Sequence, residues 1–467
     1  MAYQHGITVE HAPFSIPMAQ QSESVVQVAF GTAPINLAEN PSAVVNEPVL
    51  ITNFNQARRV LGYSGDYEKF SLCQVMDASL KHIGVGPVVF VNVLDPNEHK
   101  TSDNGSVEIR DGEGVIDKEG ILLDSVSLST GNGEDRQEFT KGEDYFLSFN
   151  DVGHVVVGAL NGSMNGEVRA SYDKLDPSKV TIDDIIGGYE SDTDRYTGIE
   201  TVSLVFSKLS VVPGTLIAPN YSHKQEVGHV LEAKSKKING AFNADVILDI
   251  EGNTEEEAKA NKEENGYTSG VSAVVWPKVK IQGKTFFFSA VMAARMAKLD
   301  ADNDDVPYKS PSNQRIPIES AVNDDGREIF IDQVRGNRLN EKGIVTAVNF
   351  QGWRIWGNIT AAFDSELEEI DIKDRFISSR RMFNWWGNTF ILNYFNKVDN
   401  PLNFRLIESF VDAENIRANG FQAAGQIAGA STDFNREDNP NDQILGGKIK
   451  FVQKIGFFSL LNTFTTP

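Results

Sequence analysis

The sequence predicts a mixed α/β protein, α+β overall, carrying an all-β insertion. Three observations carry this reading. Short apolar, β-branched runs alternate with amphipathic segments over residues 21–98 and again over 181–343. Between them, residues 99–180 hold short β-like runs broken by turn clusters. Helical spacing then dominates from residue 371. Such alternation argues for a mostly parallel sheet with helices on both faces, and short strands at regular turns argue for a separate β module.

SVVQVAFGTAP (24–34) and PVLITN (48–53) are strand candidates. FNQARRVLG (54–62) and EKFSLCQVMDASLKHIG (68–84) have helical spacing, each ending at a glycine suited to a C-cap. PVVFVNVL (87–94) has the apolar run of a strand buried on both faces. Composition then shifts. GILLDSVSLST, DYFLSFN and GHVVVGAL are separated by DNGS, GNGED and LNGSMNG.

The α/β alternation resumes with PGTLIAP, a buried strand, then HKQEVGHVLEAKSKKING, an amphipathic helix. NADVILDIEG (243–252) is a strand, and TEEEAKANKEENG a helix opened by threonine with acids in its first turn. SAVVWPKVKI reads as a strand ended by Trp-Pro, and FFFSAVMAARMAKLD (286–300) as an apolar helix. GIVTAVNF (343–350) and GWRIWGNIT follow as strands. Residues 371–395 read as one long helix, with Phe376, Phe383 and Phe390 seven apart and Trp386 beside them as a packed stripe. NFRLIESFVDAENIRANG (403–420) is a second helix, stopped by Gly420. In KIKFVQKI (448–455), Ile449, Phe451 and Ile455 fall on one face of a strand, and Lys448, Lys450 and Lys454 on the other.

The expected organisation is an arm at 1–20, an N-terminal α/β part of the core at 21–98 and an inserted acidic, β-sandwich-like domain at 99–180. An α/β domain at 181–343, a C-terminal domain at 344–447 and a terminal strand at 448–467 complete it.

Composition narrows the function. The 467 residues are 40% hydrophobic and 23% charged, ordinary for a folded domain. One cysteine, Cys73, leaves no intrachain disulfide framework, which fits a reducing compartment. The N-terminus lacks the pattern of a secretory signal, and no apolar run suits a membrane span. The formal net charge is -22, which disfavours nucleic acid and anionic membranes. Residues 101–192 hold 20 acidic and 7 basic side chains, a net of -13, whereas residues 371–467 hold 10 and 11, a net of +1.

Chemistry is not evident. His5-Gly6 and Gly162-Ser163-Met164 echo a serine hydrolase, but one lies in a terminal arm and the other in a turn. In the α/β core only His223 and His229 are placed to serve as a base. DADNDD (300–305) has the first acids of a calcium loop, yet Asp305 stands where glycine is needed and Pro311 where glutamate is needed. No zinc cluster or phosphate loop is present, and no catalytic residue, metal or cofactor is expected.

What remains concerns association. ITVEHAPFSIP near the start can extend as a strand through Ile7, Val9 and Phe14. With Lys448–Ile455 it gives β-competent segments at both ends, which pair either in cis or with another chain.

Seven segments resemble the contractile tail sheath proteins of bacteriophages and tailocins. They are YQHGITVEH, NEPVLITNFNQARRVLG, PGTLIAPNYS, AVVWPKVKI, QGWRIWGNIT, IESFVDAENIRANGF and DQILGGKIKF, in family order over residues 3–456. QGWRIWGNIT is the most specific, with Ile359 where the family often has arginine. The resemblance implies a subtilisin-like middle domain without a working triad and a C-terminal polymerisation domain. It implies hexameric rings stacked around an inner tail tube, with terminal arms crossing between subunits. Partners would be further copies, the tube, and baseplate and tail terminator proteins, in a virion tail or tailocin assembled in the bacterial cytoplasm. Within that scheme Trp353, Arg354, Trp356, Gly357 and Asn358 are expected at the joint between body and C-terminal domain, with Trp353 and Trp356 facing opposite sides. The competing expectations are a subtilisin-like serine hydrolase and an acidic surface-lattice protein.

Overall fold

The computed structural model describes residues 20–21, 26–131, 136–160, 162, 164–366, 370–401 and 403–458. The expected arm at Ile7–Pro17, with Ile7, Val9 and Phe14, lies outside the described residues.

The body is built on one eight-stranded sheet. Its strands, in chain order, are β1 (Val26–Gly31), β2 (Val49–Ile51), β3 (Val88–Asn92), β4 (Pro213–Ile217), β5 (Asp245–Asp249), β6 (Ser272–Val275), β7 (Ile344–Asn349) and β8 (Trp353–Trp356). Their order in space is β8-β7-β6-β5-β4-β1-β3-β2. The six central strands are parallel, and the edge strands β8 and β2 are antiparallel to their neighbours. The apolar runs of the sequence become these central strands because both faces are covered. Ile247 of β5 packs on one side, and Val246 and Leu248 pack on the other.

Helices α1 (Phe54–Leu61), α2 (Gln225–Lys234), α3 (Glu255–Glu264), α4 (Phe288–Ala301) and α5 (Gln333–Asn340) supply that cover. α1 and α4 lie over the first face, α2, α3 and α5 over the second. Their ends follow local chemistry. Asn53 caps α1 by accepting from the Gln56 N–H at 3.0 Å, and Thr254 caps α3 through Glu257. Gly62 ends α1 at φ +71°, where a Cβ would stand 2.2 Å from the Pro34 carbonyl oxygen. Residues 68–84 differ from the expected single helix: Ser71–Val75 is α-helical and Met76–Ile83 continues as a wider π-type turn. SAVVWPKVKI is likewise two strands, β6 and then Lys278–Ile281, which joins a four-stranded antiparallel sheet.

Residues 100–175 form two antiparallel sheets, of four and three strands, closed over their own core of Val107, Ile109, Tyr145, Val157, Val168 and neighbours. The first and last strands pair along their whole length, from Gly166 opposite Ile109 to Leu175 opposite Lys100. The chain therefore leaves the body and re-enters it at adjacent positions, between β3 and β4.

Two expected divisions run through packed structure. The boundary at 343/344 separates β7 and β8 from the sheet that contains them. The boundary at 447/448 separates two strands of one hairpin, β9 (Gly429–Asp433) and β10 (Val452–Gly456).

The expected 371–395 helix is interrupted. Ile372–Arg375 makes one turn, Phe376 is extended, and helix α6 then runs Ile377–Tyr394. The break occurs because the 358–360 segment captures the backbone there: the Ile377 N–H donates to the Asn358 carbonyl, and the Thr360 N–H to that of Arg375. The buried stripe of α6 is also rotated from the expected one. Ile377, Met382, Trp385 and Trp386 are buried, while Phe383 is 43% exposed. Helix α7 (Phe404–Ala423) passes through Gly420. There Phe421 packs edge-on to Trp385 and Trp386, a contact that outweighs the roughly 1 kcal/mol helix cost of glycine.

The pairing of Lys100 with Leu175 makes the β module removable. Replacing residues 101–174 by Gly-Gly is expected to leave a body that melts cooperatively within a few degrees of the parent, by scanning calorimetry. Loss of the cooperative transition would show that the body needs the module to fold.

Candidate functional site: a strand hairpin seated on two helices

The C-terminal unit begins with α6 and α7, which present aromatic rings to one another and to the hairpin. Trp385, Trp386, Met382, Ala418 and Ile427 form its centre, with Ile455 and Phe457 of the terminal segment packed against it. Phe451 enters a second group of rings, 5.8 Å from Phe410, 6.0 Å from Phe434 and 6.5 Å from Phe390. Between these apolar contacts lies a polar one. Glu414 is 1% exposed, accepts from Arg417 at 2.9 Å and from Gln453 Nε2 at 3.2 Å. The Arg417 guanidinium lies 4.1 Å from the centre of the Trp386 ring. Phe451, Gln453 and Ile455 thus point to the helices, the odd-numbered face expected of KIKFVQKI. Lys454 is exposed on the other face, together with Lys448 before the strand.

The strand itself is shorter than expected. It starts at Val452, so Lys448, Ile449, Lys450 and Phe451 precede it. The Asn439 side chain holds the Lys450 backbone there, accepting from its N–H at 2.6 Å and donating to its carbonyl at 2.8 Å. Lys450 Nζ reaches Asp438 at 3.0 Å.

The unit meets the body along one stripe of α6. Ser378 and Asn358 exchange two hydrogen bonds, at 2.9 and 3.1 Å. Asn384 donates to Asp245 Oδ1 at 2.8 Å, and Asn388 and Asn243 bond each other twice, at 2.8 and 2.9 Å. At the centre Arg381, 2% exposed, makes a two-pronged contact with Asp300 and lies 3.7 Å from Asp245. Burial pushes the Asp245 carboxyl up to about 7 despite Arg381, and raises that of Asp300 as well. Burial also opposes the Arg381 charge, but Asp300 more than restores it.

This stripe corrects the expected joint. Trp353 and Trp356 do face opposite sides of a strand, as their spacing requires. Both sides belong to the body, however. Trp353 packs beside the α1–α4 face and donates to the Glu319 carbonyl, while Trp356 packs beside α5 and donates to Asn337. Arg354 bonds the Asn313 carbonyl at 2.9 Å, and Gly357 donates to Ser312. Of the five expected residues, Asn358 is the one with hydrogen bonds to α6. Arg381, Asn384, Asn388 and Asp300 were missed. Their signal was a polar stripe within an aromatic helix, at spacings of three and four.

Among the described residues, hydrolase chemistry finds no geometry. Ser222 and Ser289 both bond Asp249, with no histidine between them. His223 stacks on Phe287 and contacts Glu251 at 3.3 Å, and burial pushes its pKa down to about 3. His229 sits beside Glu232 on α2. His5 and Ser163 lie outside the described residues. Asp300, the first acid of the would-be calcium loop, is committed to Arg381.

No protein-family model matches the chain. Two solved structures share its fold: a chain of the anti-feeding prophage baseplate, with a TM-score of 0.57 at 14% identity over 100% of both chains, and the contracted sheath complex of the extracellular contractile injection system PVC, with 0.56 at 12% over 100% of this chain and 97% of that one. The chain is 26% identical over 473 residues to the tail sheath protein of Burkholderia phage BcepMu, covering 96% of this chain and 92% of the relative. It belongs to the contractile tail sheath family. It is also 28% identical over 272 residues to the major tail sheath protein of Serratia phage KSP20, where it spans 56% of this chain and 65% of that relative. The sheath family is structural, not enzymatic, and this chain is a contractile tail sheath subunit of a phage or contractile injection system. For a sheath subunit the relevant parts are the body, the hairpin and the seam between them.

Two outcomes test the seam. Arg381→Met strands two buried carboxylates and is expected to cost roughly 3–5 kcal/mol by urea unfolding. Asp245 is raised in the fold, so its protonated form is favoured there. Its stabilisation is complete below its unfolded pKa of about 4 and is lost as pH rises through about 7. Asp245→Asn is expected to flatten the fall in stability between those pH values, measured as the shift in urea midpoint. An unchanged slope would remove Asp245 from the seam's pH response.

Proposed function

We propose that copies of this chain stack as hexameric rings around an inner tail tube, assemble in an extended, metastable state, and contract to drive the tube through a cell envelope. The observation that carries this reading is the β9–β10 hairpin. Two strands are too few for independent stability, and here the helices support one face while the sheet is two strands wide among the described residues. Such a sheet is suited to receive strands from other copies. A head-to-tail contact of that kind does not close on itself and generates a helical tube.

The body takes the subtilisin-like place in this scheme, and the unit from α6 to β10 is the polymerisation domain. The module at 100–175 faces outward, where its acidity tolerates water and like-charged neighbours. Baseplate and terminator proteins cap the stack, assembled in the bacterial cytoplasm. Nucleic acid and membrane insertion play no part. The donors are terminal segments: Ile7–Pro17, with Ile7, Val9 and Phe14, and the chain beyond β10. Ile449, Phe451 and Ile455 belong to the receiving unit rather than to a free arm, since Phe451 and Ile455 are packed on its own helices.

Deleting residues 1–19 is therefore expected to give a folded protein that forms no tubes by negative-stain electron microscopy, whereas the full chain does. Normal tubes from the truncated chain would sink the arm assignment.

A further inference from the structure

The three-stranded sheet of the β module leaves its outer face uncovered. The strands Glu113–Ile116, Tyr145–Phe149 and Val155–Ala159 turn Ile116, Tyr145, Val155 and Val157 into the module core. Alternation turns Val115, Phe146 and Val156 outward. Leu160 continues that side by one step, since its N–H donates to the Asp144 carbonyl. Val115, Phe146 and Leu160 are 45%, 47% and 50% exposed, an apolar strip in a strongly acidic module. The Phe146 ring does not stand upright. It lies across the backbone of Gly158, its partner on the middle strand, where a Cβ would be 2.1 Å from the ring. Gly158 is in turn opposite Glu113 on the third strand. The ring therefore reaches toward Glu113, with one face on the glycine and the other to solvent. Glu113 forms none of the described ion pairs, and Arg110 is paired with Glu108 at 2.7 Å. Further along the same face Asp117 meets His154 at 2.9 Å. The outer positions of the three strands, 113, 115, 146, 148, 156 and 158, hold no lysine or arginine.

We propose that this face docks a basic segment of a different protein, with an arginine of that partner lying on Phe146 and pairing with Glu113. Charge complementarity selects the occupant. A face whose permanent charges are carboxylates attracts cations, and a chain of net charge -22 is a poor source of them, so a second copy does not fit. Among biological cations the guanidinium is planar, stacks on an aromatic ring and pairs with a carboxylate at the same time. Gly158 makes that combination available, because any side chain there would lift the ring away from Glu113. Leu160, Val156 and Val115 take up apolar side chains that flank the arginine, a contact that a metal ion or a free polyamine would not use. The inference goes beyond the assembly reading and does not depend on it, since the face is complete within one chain.

Fluorescence anisotropy on the full chain tests the face. The probe is a labelled synthetic peptide of Arg-Ser-Leu-Ser repeats, which in extended form puts arginine and leucine on one side. Two control peptides replace every leucine by serine or every arginine by glutamate. The arginine–leucine peptide is expected to bind at physiological salt, and both controls to bind about tenfold more weakly or not at all. Phe146→Ser and, separately, Glu113→Lys are each expected to weaken the arginine–leucine peptide about tenfold. Both side chains are exposed, so the variants are expected to melt with the parent; Val115→Ser serves as a further variant should Phe146→Ser fail to fold. No binding, equal binding by the serine control, or binding unchanged in Phe146→Ser and Glu113→Lys overturns the proposal, the last because the peptide would then sit elsewhere on the acidic surface. Displacement of the peptide by a neutral oligosaccharide would assign the face to glycans and overturns it as well.

Discussion

Arg381 is a guanidinium taken wholly out of water, and the architecture around it follows from that. A buried cation is tolerated only with charged or hydrogen-bonding partners beside it. Asp300, at the end of α4, supplies two oxygens, and Asp245, at the start of β5, stands behind it. One side chain of the C-terminal unit is thereby fixed to two separate elements of the body. Asn384 and Asn388 extend the contact along the same stripe of α6, and Asn358 closes it at the helix start. Such a seam is directional. It holds one relative placement of body and C-terminal unit, where an apolar contact of similar area would tolerate sliding.

The other stripe of α6 works differently. Trp385 and Trp386 meet Phe421 and Ile455 in an apolar group, and the single polar feature there, Glu414 with Arg417 and Gln453, lies between the rings. Gln453 gives the hairpin a fixed register on the helices, since a slip of one residue would turn its side chain away from Glu414 and expose Phe451 and Ile455. One helix therefore does two jobs: its polar stripe fixes the body, and its aromatic stripe fixes the hairpin. A subunit so built can transmit a rotation of its body to its strand contacts without deforming internally.

Much of the body was legible in the sequence because its strands are doubly buried. PVVFVNV, PGTLI and DVILD could hardly be exposed, and their alternation with capped helices leaves little choice of architecture. The β module was legible from its turns. The C-terminal unit was less so. The interruption at Phe376 depends on backbone capture by residues 358–360, a tertiary event with no local signature. The seven-residue spacing of Phe376, Phe383 and Phe390 suggested the wrong buried face because Arg381, Asn384 and Asn388, which look like surface residues, are the ones inside. Gly420 suggested a helix end because propensity is read locally, while Phe421 is held from across the unit. The tryptophans of QGWRIWGNIT were correctly expected on opposite faces, but pattern alone does not say that both faces belong to one sheet.

Continuity and driving force must come from different parts of such a subunit. In the proposed strand exchange, main-chain hydrogen bonds along an added strand depend little on sequence and persist while the flanking chain bends, so they join copies in any state. For the same reason they favour neither state and cannot drive contraction. The driving free energy has to lie where contacts change, between the bodies. On the body the exposed Phe330, Val334 and Phe350 offer apolar area, worth roughly 25 cal/mol for each Å² removed from water. The acidic module opposes close approach, but its repulsion fades beyond a Debye length of about 8 Å at physiological salt. In the proposed outward placement, where spacing between neighbours stays large, that charge confers solubility without holding the lattice apart. A subunit with the same net charge spread over its body would meet the repulsion at every contact that contraction creates.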